Sequence, residues 1–142
     1  MSKSNAFENS LLKLIFNATA IANLADNAAS APLTNLYVSL HTADPGEAGD
    51  QSTSEATYTG YARVAVLRTS AGWTVTNNSV SPVANIDFAN CTAGTNTITY
   101  FGVGTASSGA GVLYYSGTVS PSISVSSGVT PRLTTASTIT ED

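Results

Sequence analysis

Apolar residues recur at two different periods along this chain, and the change of period divides it. From Asn5 to Asp26, residues Phe7, Leu11, Ile15, Ala18, Ala22 and Ala25 fall at steps of three or four, which is the spacing of one helix face. The pattern predicts an N-terminal helix over 5–26. Asn5 followed by Glu8 fits a capping-box start, and Asp26 and Asn27 fit a stop. Leu12, Leu14, Phe16, Ile21 and Leu24 widen the apolar stripe beyond one face. Such a helix is expected either to be covered on two sides, by a sheet and by a partner subunit, or to cap one end of the core.

After the connector AASAPLT the period becomes two. Leu36, Val38 and Leu40 alternate with Tyr37, Ser39 and His41, as on a half-buried strand. YTGYARVAVLRT, WTVT, the Pro82-broken segment from Val80 to Phe88, TITYFGVG, GVLYYSGTV, SISVS and RLTTASTIT follow, separated by turn signals such as SAG, NNS and CTAGTN. Pro82 cannot donate to a ladder, so its strand is expected at an edge or a bulge. About eight short strands at roughly 8–12-residue spacing predict a mainly β, antiparallel, jelly-roll-like sandwich over 34–142, the whole chain of 1–142 forming one domain. Alternating βα units are absent, which disfavours a parallel sheet. Trp73, Val64, Val66, Leu36, Val38 and Leu40 are the expected core.

Composition then narrows the role. Charged residues make up 10% of the 142 positions, against about 25% in ordinary soluble domains, while 19 Ser and 20 Thr supply hydroxyls. A polar but nearly uncharged surface avoids the cost of desolvating ions and suits close contact with protein. The five basic residues, Lys3, Lys13, Arg63, Arg68 and Arg132, form no run, and the net charge is −4. Neither nucleic-acid binding nor a membrane partner is expected, since clustered cations and long apolar runs are both missing. The opening MSKSNAFENS lacks the layout of a signal peptide. Cys91, the single cysteine, has no internal partner for a disulfide, which fits a cytosolic site of synthesis.

No catalytic set emerges. His41 is the sole histidine, three residues before Asp44. A zinc site needs more His or Cys, and no serine sits in G-x-S-x-G. Asp44, Glu47 and Asp50 stand at steps of three but lack the pattern of a calcium loop, and solvated carboxylates are the plainer reading. GVGTASSGAG is glycine-rich, yet a strand pattern follows it where a nucleotide loop would open a helix; a hairpin loop using positive φ explains it better. Tyr58, Tyr61, Tyr100, Tyr114 and Tyr115 are available for a sugar-stacking face, although strand aromatics more often fill a core. No cofactor, no metal and no enzymatic activity are expected. The segment 42–57, with one Pro, two Gly and small polar residues, reads as a long exposed loop of the kind that makes contacts.

The stretches LYVSLHTADPGEAGDQ, YTGYARVAV, GWTV, VSSGVTPRLTT and TITED, with the helical FENSLLKLIFNATAIANLADNAA, together resemble a family of small structural proteins of tailed bacteriophages and prophages. The resemblance covers nearly the whole chain. It implies a virion protein, either a cement protein decorating the capsid or a tail-fibre-like component, with no catalytic residues to carry over. A chain this short and without repeats cannot build a long shaft, which favours cement. On that expectation the partners are the major capsid protein and further copies of the chain, as a dimer or trimer on the capsid surface. The alternative is a tail or tail-fibre component that binds host glycans. Phe7, Leu11, Ile15, Asp44, Glu47 and Asp50 are the candidate contact residues.

Overall fold

The computed structural model describes residues 3–21, 24–25 and 31–141. It is mainly β, with antiparallel sheets, one helix near the N-terminus and no closed barrel among the described residues. The chain divides into two compact units. One comprises 1–35, 66–85 and 134–142; the other comprises 36–65 and 86–133.

The first unit holds α1 (Asn5–Asn17) and a three-stranded sheet of β3 (Trp73–Thr76), β4 (Ser79–Pro82) and β9 (Ile139–Thr140), in the order β3-β4-β9. Ser4 is the N-cap, its hydroxyl accepting from the Phe7 N–H. The helix predicted over 5–26 ends at Asn17. Ala18 turns left-handed at φ 54°, and the Thr19 N–H closes back on Lys13 O at 3.0 Å. Arg68 reinforces this end from far along the chain. Its guanidinium donates to Ile15 O at 2.6 Å and Leu14 O at 2.5 Å, placing a cation where the helix dipole is negative. The expected stop residues Asp26 and Asn27 lie outside the described residues.

The buried stripe of α1 is Glu8, Leu12 and Phe16, one position on from the predicted Phe7, Leu11 and Ile15. The Phe16 ring meets Trp73 edge-on at 4.9 Å between centroids, and Asn17 donates to Trp73 O. Trp73 is buried, and its Nε1–H finds no acceptor among the described residues. Pro82 ends β4, the middle strand of this sheet, where an edge or bulge had been expected. The strand read through it splits: the chain resumes as β5 in the other unit.

The second unit is built on β1 (Asn35–His41), β6 (Asn96–Gly104) and β7 (Leu113–Val125). With β2 (Val64–Leu67), in which the chain passes between units, they form a sheet of order β2-β1-β6-β7. β5 (Ile86–Asp87) and β8 (Arg132–Leu133) make a two-stranded ribbon. Leu36, Val38 and Leu40 are buried as predicted, with Val38 opposite Val103 and Leu40 opposite Phe101 on the same face. Val64 and Val66 are only half-buried, because β2 is short and at an edge. GVLYYSGTV and SISVS, read as two strands, form the single β7.

Candidate functional site

The face of the β1-β6-β7 sheet opposite these apolar residues carries an unexpected polar layer. Ser39 and His41 are both fully buried. They lie opposite Gly102 and Tyr100 of β6. Gly102 creates their space: a Cβ there would stand 2.7 Å from both His41 Nε2 and Ser39 Oγ. The loop 42–57 folds back over this layer. Thr42 N–H donates to Ser54 O, Ala56 N–H donates to Leu40 O, and His41 bridges to Glu55 in the antiparallel sense.

His41 ties the loop down. Its Nδ1 lies 2.8 Å from Thr53 O, and its Nε2 lies 2.8 Å from Ser39 Oγ. A carbonyl only accepts, so Nδ1 carries the proton and Nε2 accepts from the serine hydroxyl. Burial lowers the ring's pKa from its ordinary value, outweighing the Thr53 hydrogen bond and the Glu55 charge. The Ser39–His41 pair has the spacing of a nucleophile and its base. Both groups are fully buried, however, and the third member is a backbone carbonyl where a triad has a carboxylate.

Three further side chains complete the loop's attachment. Gln51, also fully buried, accepts from Ala106 N–H at 2.9 Å, and its own backbone N–H donates to Ala110 O. Arg63 makes a bidentate pair with Glu55, Nε to Oε1 at 2.6 Å and Nη2 to Oε2 at 2.8 Å. The same guanidinium donates to Ala106 O and Gly109 O. Tyr61 donates to Glu55 and accepts from Leu40 N–H, and burial pushes its phenol pKa strongly upward. The glycine-rich segment 105–112 is thus a hairpin loop whose carbonyls receive Arg63; Gly109 and Gly111 take positive φ, as the sequence suggested.

The three candidate acids do not converge. Asp50 is taken up by the loop itself, accepting from the Ser52 N–H and hydroxyl, and the Ser52 hydroxyl chiefly lowers its pKa. Asp44 accepts from Gly46 N–H in a tight turn. Asp44 and Glu47 are exposed and line a cleft of about 420 Å³ whose opposite wall is Leu113–Ser116 of β7. On α1, Phe7 is exposed and Leu11 and Ile15 are half-buried. The tyrosines share no single face. Tyr58 is interior, edge-on to Tyr61, which stacks on Phe88, whereas Tyr114 stands 45% exposed at the cleft.

A family model described as podophage GP4 fiber I protein gp80 matches residues 2–140. The chain belongs to this family. This phage fibre family member is therefore a bacteriophage virion structural protein of fibre-like type. No curated protein matches the chain. No helix among the described residues is long and apolar enough to cross a membrane.

In this fibre-family protein one feature outside the candidate residues stands out. β7 runs for 13 residues at the edge of its sheet, paired on one side with β6. LYYSGTVSPSISV contains no charged side chain. Tyr114, Ser116, Thr118, Ser120, Pro121, Ser122 and Ser124 are its exposed positions. Long, uncharged sheet edges are what soluble proteins usually avoid, because they template pairing with another chain. The signal was present in the sequence as two adjacent uncharged strand patterns, hidden by the Pro121 between them.

Proposed function

We propose that this chain is a tail-side fibre component of its phage, present in several copies that associate through the β7 edge. The observation that carries the reading is the family match over 2–140, whose description names a fibre. The 13-residue uncharged edge supports it physically. Two copies of β7 meeting side by side set no like charges against each other, and their backbone groups on either side of Pro121 can continue the ladder. Many modest contacts of this kind gain strength through effective concentration once copies share a particle. The role is mechanical, with no reaction of its own: the one histidine is fully buried beneath the loop.

The capsid-cement reading, with the major capsid protein as partner, rests on the same neutral, hydroxyl-rich surface, but the word fibre in the family's description favours the tail. Cryo-electron microscopy of the intact particle carrying a tagged chain tests the choice. Density for the tag on tail appendages supports the proposal. Density distributed over the head overturns it in favour of cement.

A further inference from the structure

Which backbone groups of β7 face outward is fixed two strands away, on β1. Ala56 N–H donates to Leu40 O, Thr42 N–H donates to Ser54 O, and Leu40 N–H donates to Tyr61 Oη. Leu40 and Thr42 therefore turn their backbone groups away from β6. These groups alternate along a strand, so Ser39 and His41 exchange their hydrogen bonds with Gly102 and Tyr100, their partners on β6. Gly102 and Tyr100 are thereby turned away from β7. Ser116 and Thr118 stand opposite these two, in non-hydrogen-bonded pairs, so their own N–H and C=O groups point to the open edge. Gly117, opposite Phe101, points its backbone groups inward.

This regular stretch of edge is bounded on both sides. The pairing of β7 with β6 shifts between Leu113 and Tyr115 and again between Thr118 and Ile123, and Pro121 in the second interval has no N–H to give. The outward groups thus centre on Gly117. A second β7, antiparallel about a two-fold axis at Gly117, matches them: Ser116 of each copy meets Thr118 of the other and the two exchange both hydrogen bonds. The side chains agree with this register. Tyr115 and Val119 are half-buried at the sheet edge, and the axis sets Tyr115 of one copy opposite Val119 of the other, an aromatic and β-branched pair. Gly117 meets Gly117 at the closest approach of the strands, about 4.5 Å between Cα atoms. A side chain there would strike the Phe101 ring, whose nearest atom lies 2.7 Å from where its Cβ would stand.

We propose that two copies of this chain pair through β7 about a two-fold axis at Gly117, forming a continuous sheet of order β2-β1-β6-β7-β7-β6-β1-β2. The inference rests on the reading that copies associate at β7, and it adds the partner strand, the symmetry and the register. The opposite edge of the sheet, β2, is the rival partner. It is also uncharged but runs for only four residues, and a β7-to-β2 contact would join unlike surfaces and leave an edge open at each end. The β7 pair uses each edge once, so it closes at two copies. A larger assembly then joins such pairs through other surfaces.

The test is disulfide trapping in the full chain with Ser116→Cys and Thr118→Cys, both at exposed positions, oxidised with diamide and read by intact mass. In the proposed register Ser116 and Thr118 of opposite copies have Cα atoms about 5.5 Å apart, within disulfide reach. Two Ser116 residues, or two Thr118 residues, lie on a diagonal of roughly 7–8 Å, at or beyond that reach. Mixing the two variants should therefore give about tenfold more of the mixed dimer than either variant gives of its own. The wild type should give none, because Cys91 is fully buried. Self-linking of Ser116→Cys or of Thr118→Cys as strong as the mixed link overturns the register. Linking of Ser116→Cys to an Ala65→Cys chain in place of Thr118→Cys overturns the two-fold pair in favour of β2. Sedimentation of the wild type separates the two levels. Association without the mixed link defeats this inference alone, whereas a monomer at every concentration defeats the β7 reading beneath it.

Discussion

His41 Nδ1 and the carbonyl oxygen of Thr53 stand 2.8 Å apart across the base of the 42–57 loop. This contact joins the last residue of β1 to the far end of the loop, while burial keeps the ring in its neutral form. Burial lowers the ring's pKa from 6.5, so between that value and the lower folded one the unfolded chain binds more protons. The contribution of His41 is complete above about pH 6.5 and is lost as pH falls below it. The slope cannot exceed about 1.4 kcal/mol per pH unit, and the chain's single histidine makes it attributable. Asp50 and Asp87, whose pKa values are lowered from 3.8, act in a separate and more acidic window. Urea denaturation from pH 7.5 to 5 should show the slope in the wild type and lose it in His41→Asn.

Gly102 should tolerate no side chain. A Cβ there meets His41 Nε2 and Ser39 Oγ at 2.7 Å, and both groups are fully buried with no room to move. Gly102→Ala is expected to cost about 2 kcal/mol, as overpacking does. Ser116→Ala, at the position paired with Gly102 but exposed, should stay within about 0.5 kcal/mol of wild type. Urea midpoints of the two variants give the comparison directly.

The Arg63–Glu55 pair should behave as a buried pair and Arg132–Asp87 as a surface one. Arg63's side chain is 2% exposed and Glu55's 17%, against 53% and 49% for the second pair. Arg63→Ala leaves Glu55 without its cation and Ala106 O and Gly109 O without a donor. The expected loss is about 3 kcal/mol, at the low end for a broken buried pair because Glu55 retains some solvent contact. Arg132→Ala should produce no resolvable change in moderate salt. A contrast of the opposite sign in denaturation midpoints would refute this ranking.

The alternation of Leu36, Val38 and Leu40 made the core face of β1 legible, because one buried face imposes period two wherever it falls. The polar layer behind it was not. Ser39, His41, Gln51 and Arg63 look like solvent-facing residues until the loop closes over them, and their partners lie up to 55 residues away. The end of α1 was hidden for the same reason: Arg68 serves the carbonyls of Leu14 and Ile15 from more than 50 positions downstream. Local pattern reports which residues prefer burial. It does not report which distant group will satisfy a helix end or a buried ring.

Trp73 gives a prediction for the first unit. Its ring packs edge-on against Phe16, yet its Nε1–H has no acceptor among the described residues. Trp73→Phe removes an unpaired donor along with some volume, so the two effects oppose and the net loss should remain below about 1.5 kcal/mol. Trp73→Ala leaves a cavity and should cost about 4 kcal/mol. Calorimetric melting of both variants separates the volume effect from that of the indole N–H.

Sedimentation velocity of the full chain across a wide concentration range, with Thr118→Lys beside the wild type, tests most directly whether the molecule works by joining copies at β7. Thr118 is exposed on that uncharged edge strand, opposite Tyr100 of β6, and a lysine there places like charges together wherever two such strands meet. The account predicts concentration-dependent association of the wild type and its loss in Thr118→Lys, with the two melting curves superposed. A wild type that sediments as a monomer at every concentration, or a Thr118→Lys chain that associates just as well, would contradict it.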